Sequence, residues 1–121
     1  MKIRIKENSI RIRLTRSEVT KIAVDGYIQE HTVFNNGQFI YALKVADQEA
    51  LSASLENNRI TMFVPVVWVK DWPVNNVIGF RGNIPVTEKD SLFLLLEKDF
   101  VCLDETTEDQ SDNYDNPAKT C

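Results

Sequence analysis

The residues best equipped for chemistry stand at the start of the chain, in "MKIRIKENSIRIRLTRSE". Between Met1 and Arg16 there are six cations, Lys2, Arg4, Lys6, Arg11, Arg13 and Arg16, against one acid, Glu7. The cations alternate with isoleucines, and alternation along a strand sends the two types to opposite faces. A face of this kind can hold an anion, because guanidinium groups grip carboxylates and phosphates through paired N–H bonds.

The other reactive side chains have less support. His31, between Glu30 and Thr32, is the only histidine. A catalytic base needs a partner acid or a nucleophile, and none stands at a readable spacing. Cys102, in "DFVCLD", lacks a nucleophile's context for the same reason. Cys102 and Cys121 are expected as plain thiols in a reducing compartment, with a disulfide between them as the lesser reading. A two-cysteine metal site would have only His31 and carboxylates to complete it. The acidic stretch "EDQSDNYDN" lacks the sixth-position glycine and closing glutamate of a calcium loop. No Gly-rich phosphate loop, CxxC, HExxH or GxSxG occurs. We therefore expect no cofactor and no metal, and no motif argues for an enzyme.

The elements that must position the cations follow from pattern. A two-residue turn at Glu7-Asn8 pairs Lys6 with Ser9, Ile5 with Ile10, Arg4 with Arg11, Ile3 with Ile12 and Lys2 with Arg13. That register collects four isoleucines on one face and five cations, Lys2, Arg4, Lys6, Arg11 and Arg13, on the other. Thr15 with Glu18 forms a capping box, Leu14 and Val19 a hydrophobic staple, and Gly26 a C-terminal stop, predicting a helix over 16–25. Asn36-Gly37 predicts a second hairpin with Phe34 opposite Phe39 and Val33 opposite Ile40. A third turns at Asn57-Asn58, setting Leu55 against Ile60, Ala53 against Met62 and Leu51 against Val64. Ser52, Ser54, Thr61 and Phe63 fall on its other face.

"PVVWVKDWP" predicts a short helix over 65–72, with Pro65 at its first position and Trp68 and Trp72 one turn apart. "NVIGFRG" and "SLFLLLEK" are two further strands, the second apolar on both faces and so central in its sheet. No internal repeat is evident. The fold class is α+β: an antiparallel, hairpin-built sheet of about eight strands, open or barrel-like, with two short helices. Residues 1–103 form the single domain, and 104–121 an acidic extended or disordered tail.

At 121 residues one domain is expected, and 43% apolar with 26% charged residues is ordinary for a globular chain. The net charge of −4 gives no reason to expect a polyanionic partner from the total. No apolar run is long enough to span a membrane, and the opening stretch is no signal peptide, so the expected location is the cytoplasm. Three things could lie over the basic face: solvent with scattered carboxylates, the chain's own tail (Asp104, Glu105, Glu108, Asp109, Asp112, Asp115), or an external anion. Nucleic acid is disfavoured, because aromatics do not interleave with these cations and the domain is not basic overall.

The phrases "MKIRIKENSIRIRLTRSEV", "FIYAL", "LEKDFVCLD" and "EDQSDNYDNP" together resemble a family of small bacterial proteins known as a domain of unknown function. The resemblance spans nearly the whole chain and implies a bacterial, stand-alone, single-domain protein, with no activity or site to transfer. The expected function is a non-enzymatic cytoplasmic binding or protein-interaction module using the basic hairpin face, its partner an anionic ligand or acidic protein surface. The alternative is a small enzyme or ligand-binding protein acting on a phosphate- or carboxylate-bearing metabolite, with Arg4, Arg11 and Arg13 gripping the anion.

Overall fold

Alternating isoleucine in the opening hairpin settles into a two-faced ribbon. In the computed structural model, which describes residues 1–100 and 111–115, β1 (Lys2–Lys6) and β2 (Ser9–Leu14) pair from Lys2–Arg13 to Lys6–Ser9, the register expected from the Glu7-Asn8 turn. Glu7 takes the positive φ of 50° that closes the turn. Ile10, Ile12 and Leu14 turn inward and are buried. Helix α1 (Arg16–Asp25) follows, with the capping box formed and Gly26 at φ 76° ending it. Its buried residues are Val19 and Ile22.

β3 (Tyr27–Phe34) and β4 (Gly37–Ala46) form the second hairpin, with Thr32 opposite Phe39 and His31 opposite Ile40. The turn therefore closes on Asn35-Asn36 rather than Asn36-Gly37. Gly37, at φ 150°, joins the ladder opposite Phe34. The shift moves each partner by two positions, so every side chain keeps its face. β5 (Ser52–Glu56) and β6 (Arg59–Pro65) turn at Asn57-Asn58, at φ 51° and 63°, with Leu55 opposite Ile60 and Ala53 opposite Met62 as expected.

The predicted helix over 65–72 is shorter and broken. Pro65 ends β6, α2 spans Val66–Val69, and a separate 3-10 turn covers Trp72–Val74. Trp72 is fully buried and donates its indole N–H to Val77 O at 2.7 Å. Trp68 is half-buried and stacks on Phe80, with ring centroids 5.1 Å apart. β7 (Gly79–Pro85) and β8 (Ser91–Lys98) are the last strands among the described residues, and β8 is central as its apolar run implied.

The sheet is neither single nor barrel-like. There are two separate four-stranded sheets, ordered β1-β2-β8-β7 and β3-β4-β6-β5. Nor are they wholly antiparallel: β2 runs parallel to β8, and β4 parallel to β6. Hairpin turns make local antiparallel pairs, but the pairs that join hairpins are set by packing across long sequence distances, which turn chemistry does not encode.

A repeat absent from the amino-acid letters is present in the architecture. Hairpin, helix, hairpin occurs twice, and each sheet takes one hairpin from each half. Ile10, Ile12, Leu14, Val19 and Ile22 correspond, at one constant separation, to Ile60, Met62, Val64, Val69 and Trp72, and all ten are buried. The junctions match too. Phe93 N–H donates to Asn8 O and Ile40 N–H to Asn58 O, each at 3.0 Å. Lys98 N–H donates to Ile78 O at 2.9 Å, and Val45 N–H to Gly26 O at 3.0 Å. The apolar inner positions of both halves meet between the sheets and form the core.

One polar tie links the sheets. The Met1 ammonium pairs with Glu18 on α1 and, at 2.9 Å, with Glu30 on β3, whose other oxygen accepts from the Tyr41 hydroxyl at 3.0 Å. Burial and the Glu30 bond push Tyr41 up to about 12. For Glu18, burial pushes the carboxyl up, but bonds from the Met1 ammonium and the Thr15 N–H outweigh it and leave it below its ordinary 4.5. A carboxyl lowered in the folded state contributes stability above 4.5 that disappears as pH falls through its folded value. Urea melts should therefore show stability falling on acidification from about pH 5 to 3. The fall should be smaller in Glu18→Gln, which starts from a lower stability at neutral pH. An equal acid loss in both proteins would contradict this role.

Candidate anion-binding face

The two central strands determine which cations share a surface. Ladder registers through β1, β2, β8 and β7 lay out three rows on the outer side of that sheet: Lys6–Ser9–Phe93–Asn83, Arg4–Arg11–Leu95–Arg81 and Lys2–Arg13–Glu97–Gly79. All five cations expected on one face are there. Arg81, Phe93, Leu95 and Glu97 belong to the same surface and escaped the sequence reading. Alternation in "SLFLLLEK" places Phe93, Leu95 and Glu97 on one side, but the parallel β2–β8 pair that brings them beside Arg11 and Arg13 has no local signal.

Two acids temper the charge. Glu97 Oε1 accepts from Arg13 Nε at 2.9 Å and lies 3.4 Å from Arg11 Nε. Lys2 Nζ sits 3.0 Å from Asp99 Oδ2, an oxygen with almost no solvent access. No ion pair to Arg4, Lys6 or Arg81 occurs among the described residues, and all three are exposed. Directly opposed cations such as Arg4 and Arg11 repel, at a cost of roughly 0.2–1 kcal/mol, unless an anion covers them.

The depressions on this surface are small. One depression of about 240 Å³ is lined by Arg4, Lys6, Ser9, Arg11, Phe93 and Leu95, and a neighbouring one of about 210 Å³ by Lys2, Ile3, Arg4, Arg11 and Arg13. Phe93 is 39% exposed, so an aromatic ring does stand among the cations, contrary to the sequence reading. His31 belongs to the other sheet, exposed on β3 and opposite Ile40. Cys102 and Cys121 lie outside the described residues.

Of the acidic tail, Asp104, Glu105, Glu108 and Asp109 lie outside the described residues, whereas 111–115 pack elsewhere than on this face. Asp112 accepts from Ser17 Oγ at 2.6 Å and from the Ser17 N–H at 3.3 Å, while its carbonyl accepts from the Arg16 N–H at 2.9 Å. The Ser17 bonds, foremost its hydroxyl, hold the Asp112 carboxyl below its usual range. This acid thus caps the start of α1.

Glu97 is the main internal competitor for an incoming anion. Glu97→Gln should elute from a heparin column at higher salt than the wild type, with unfolding free energy lowered by about 1 kcal/mol, since the carboxylate is only partly buried. Unchanged elution would show that Glu97 does not mask the face.

No curated protein and no solved structure matches the chain. The model of one protein family matches residues 1–118, covering both sheets and the basic face. The chain belongs to that family, a family of unknown function designated DUF7009.

Proposed function

We propose that the chain is a cytoplasmic, non-enzymatic binding module that engages an acidic protein surface through the outer face of β1-β2-β8-β7. The observation that carries this reading is the contrast between equivalent hairpins. Where the first presents Lys2, Arg4, Arg11 and Arg13 outward, the second presents Ser52, Ser54, Thr61 and Phe63, and Lys6 corresponds to Glu56. The inner positions of both hairpins are apolar, and those of the second strand of each, Ile10, Ile12 and Leu14 against Ile60, Met62 and Val64, are buried alike. The fold therefore accepts neutral residues at four of these outer positions and an acid at the fifth, and does not require five cations there.

A depression of about 240 Å³ is smaller than the roughly 300–1,000 Å³ of enclosed small-molecule sites, so an extended partner fits better than a trapped metabolite. The competing enzyme reading needs His31 or Cys102 near the arginines, and His31 stands on the other sheet. Phe93 removes one objection to nucleic acid, but the net charge of −4 keeps acidic protein the better match. The cytoplasmic setting rests on composition and on the sparse cysteines.

Fluorescence anisotropy with a labelled poly-glutamate peptide tests the proposal. Binding should weaken steeply as salt rises, and Arg4→Gln with Arg11→Gln should lower affinity at least about tenfold without changing the circular dichroism spectrum. Equal affinity for the double variant would overturn it. So would tighter binding of an oligothymidylate than of the peptide, which would assign the face to nucleic acid.

A further inference from the structure

A second place in the molecule is short of negative charge. Leu92, Leu94, Leu96 and Lys98 alternate to the inner side of β8, so a lysine stands where the core pattern calls for an apolar residue. Lys98 is only 5% exposed. In the other half, the equivalent position is Val45, which packs against the core. The fold thus has an apolar solution for this position and does not use it here.

The Lys98 ammonium has three donors and spends one, on Asn75 O at 2.9 Å. Its remaining neighbours are rings: Nζ lies 4.9 Å from the centre of Tyr114 and 5.8 Å from that of Trp72. The Arg16 guanidinium sits 4.6 Å from the same Tyr114 ring. Among the described residues neither cation has a carboxylate within ion-pair distance; the Asp112 carboxyl, held low first by the Ser17 hydroxyl, is also lowered by the nearby Arg16 charge, and Asp115 lines the same cleft without pairing with either cation. Cation–π contacts contribute less than the several kcal/mol lost when an ammonium leaves water. Burial, reinforced by Arg16, accordingly lowers the affinity of Lys98 for its proton. The Tyr114 hydroxyl is also buried and, among the described residues, without a hydrogen-bond partner.

These groups line a cleft of about 510 Å³, within the range of small-molecule sites. Arg16 is exposed at the cleft, Lys98 is buried in its lining, and Pro73, Val74, Ile78 and Phe100 add apolar wall. Val74 and Ile78 are 87% and 53% exposed, an apolar surface that the core does not use.

We propose that this cleft binds a small organic oxyanion, a carboxylate or phosphate monoester. Its charge lies between Lys98 and Arg16, and its apolar body lies against Pro73, Val74 and Ile78. The anion supplies the counter-charge that the buried lysine lacks among the described residues, and the apolar wall selects for a carbon-bearing ligand over a bare inorganic ion. This site is separate from the basic sheet face and does not depend on that reading.

Isothermal titration with phenyl phosphate, benzoate and inorganic phosphate tests it. Phenyl phosphate or benzoate should bind saturably and more tightly than inorganic phosphate, and comparing the first two identifies the preferred head group. Lys98→Met should bind the better probe at least about tenfold more weakly while melting no lower than wild type, because an apolar residue of similar length replaces an uncompensated buried charge. Arg16→Gln, at an exposed position, should weaken binding at least about threefold and leave folding intact, while Arg4→Gln should bind as wild type does. Absence of saturable binding up to about 10 mM, or Lys98→Met and Arg16→Gln variants that bind like wild type, would overturn the assignment.

Discussion

The structure depends on two parallel strand pairs, β2 with β8 and β4 with β6. Each joins a hairpin from the first half of the chain to one from the second, so neither sheet exists until both halves have folded. An isolated hairpin is marginal in water, and four strands with a shared apolar face are not. Leu94 and Leu96 are buried beside Ile10 and Ile12, and Leu43 beside Met62, because the parallel pairs fix those neighbours. The opening segment therefore folds against residues more than 80 positions away in sequence, visible in the Asn8–Ser91 and Arg13–Glu97 contacts. Such long loop closures favour slow, cooperative folding.

Local chemistry was legible; its assembly was not. Thr15, Glu18 and Gly26 bounded α1, and the turns at Glu7-Asn8 and Asn57-Asn58 set two registers, because each signal acts over a few residues. The turn expected at Asn36-Gly37 lies one residue earlier, and Gly37 is instead the ladder residue that takes φ 150°, a conformation other residues rarely adopt. The short helix was overextended because the spacing of Trp68 and Trp72 mimics one helical turn, whereas Trp72 begins a separate turn beside Phe80. The equivalence of the halves was hidden because burial recurs where residue identity mostly does not: Met62 stands for Ile12 and Trp72 for Ile22. Arg81 and Phe93 could not be placed on the basic face without the non-local β2–β8 pairing.

The equivalence also separates what folding requires from what it merely permits. Inner positions agree between the halves in apolar character and burial. Outer positions disagree, cationic on one hairpin and neutral or, at Glu56, acidic on the other. Lys98 against Val45 is a second disagreement, on an inner position and beside a cleft. Both departures add positive charge that the described residues only partly neutralise, and both sit on surfaces open to a ligand. A chain with net charge −4 thus concentrates cations in two places.

The central claim, that Arg4 and Arg11 are surplus to folding, can be measured by giving the first hairpin the outer residues of the second at these two positions. Arg4→Ser with Arg11→Thr should leave the urea unfolding free energy equal to that of the wild type or higher by up to about 1 kcal/mol, as like-charge repulsion is relieved. A loss of more than about 2 kcal/mol in that double variant would show that the arginines hold the sheet together, and would contradict the account.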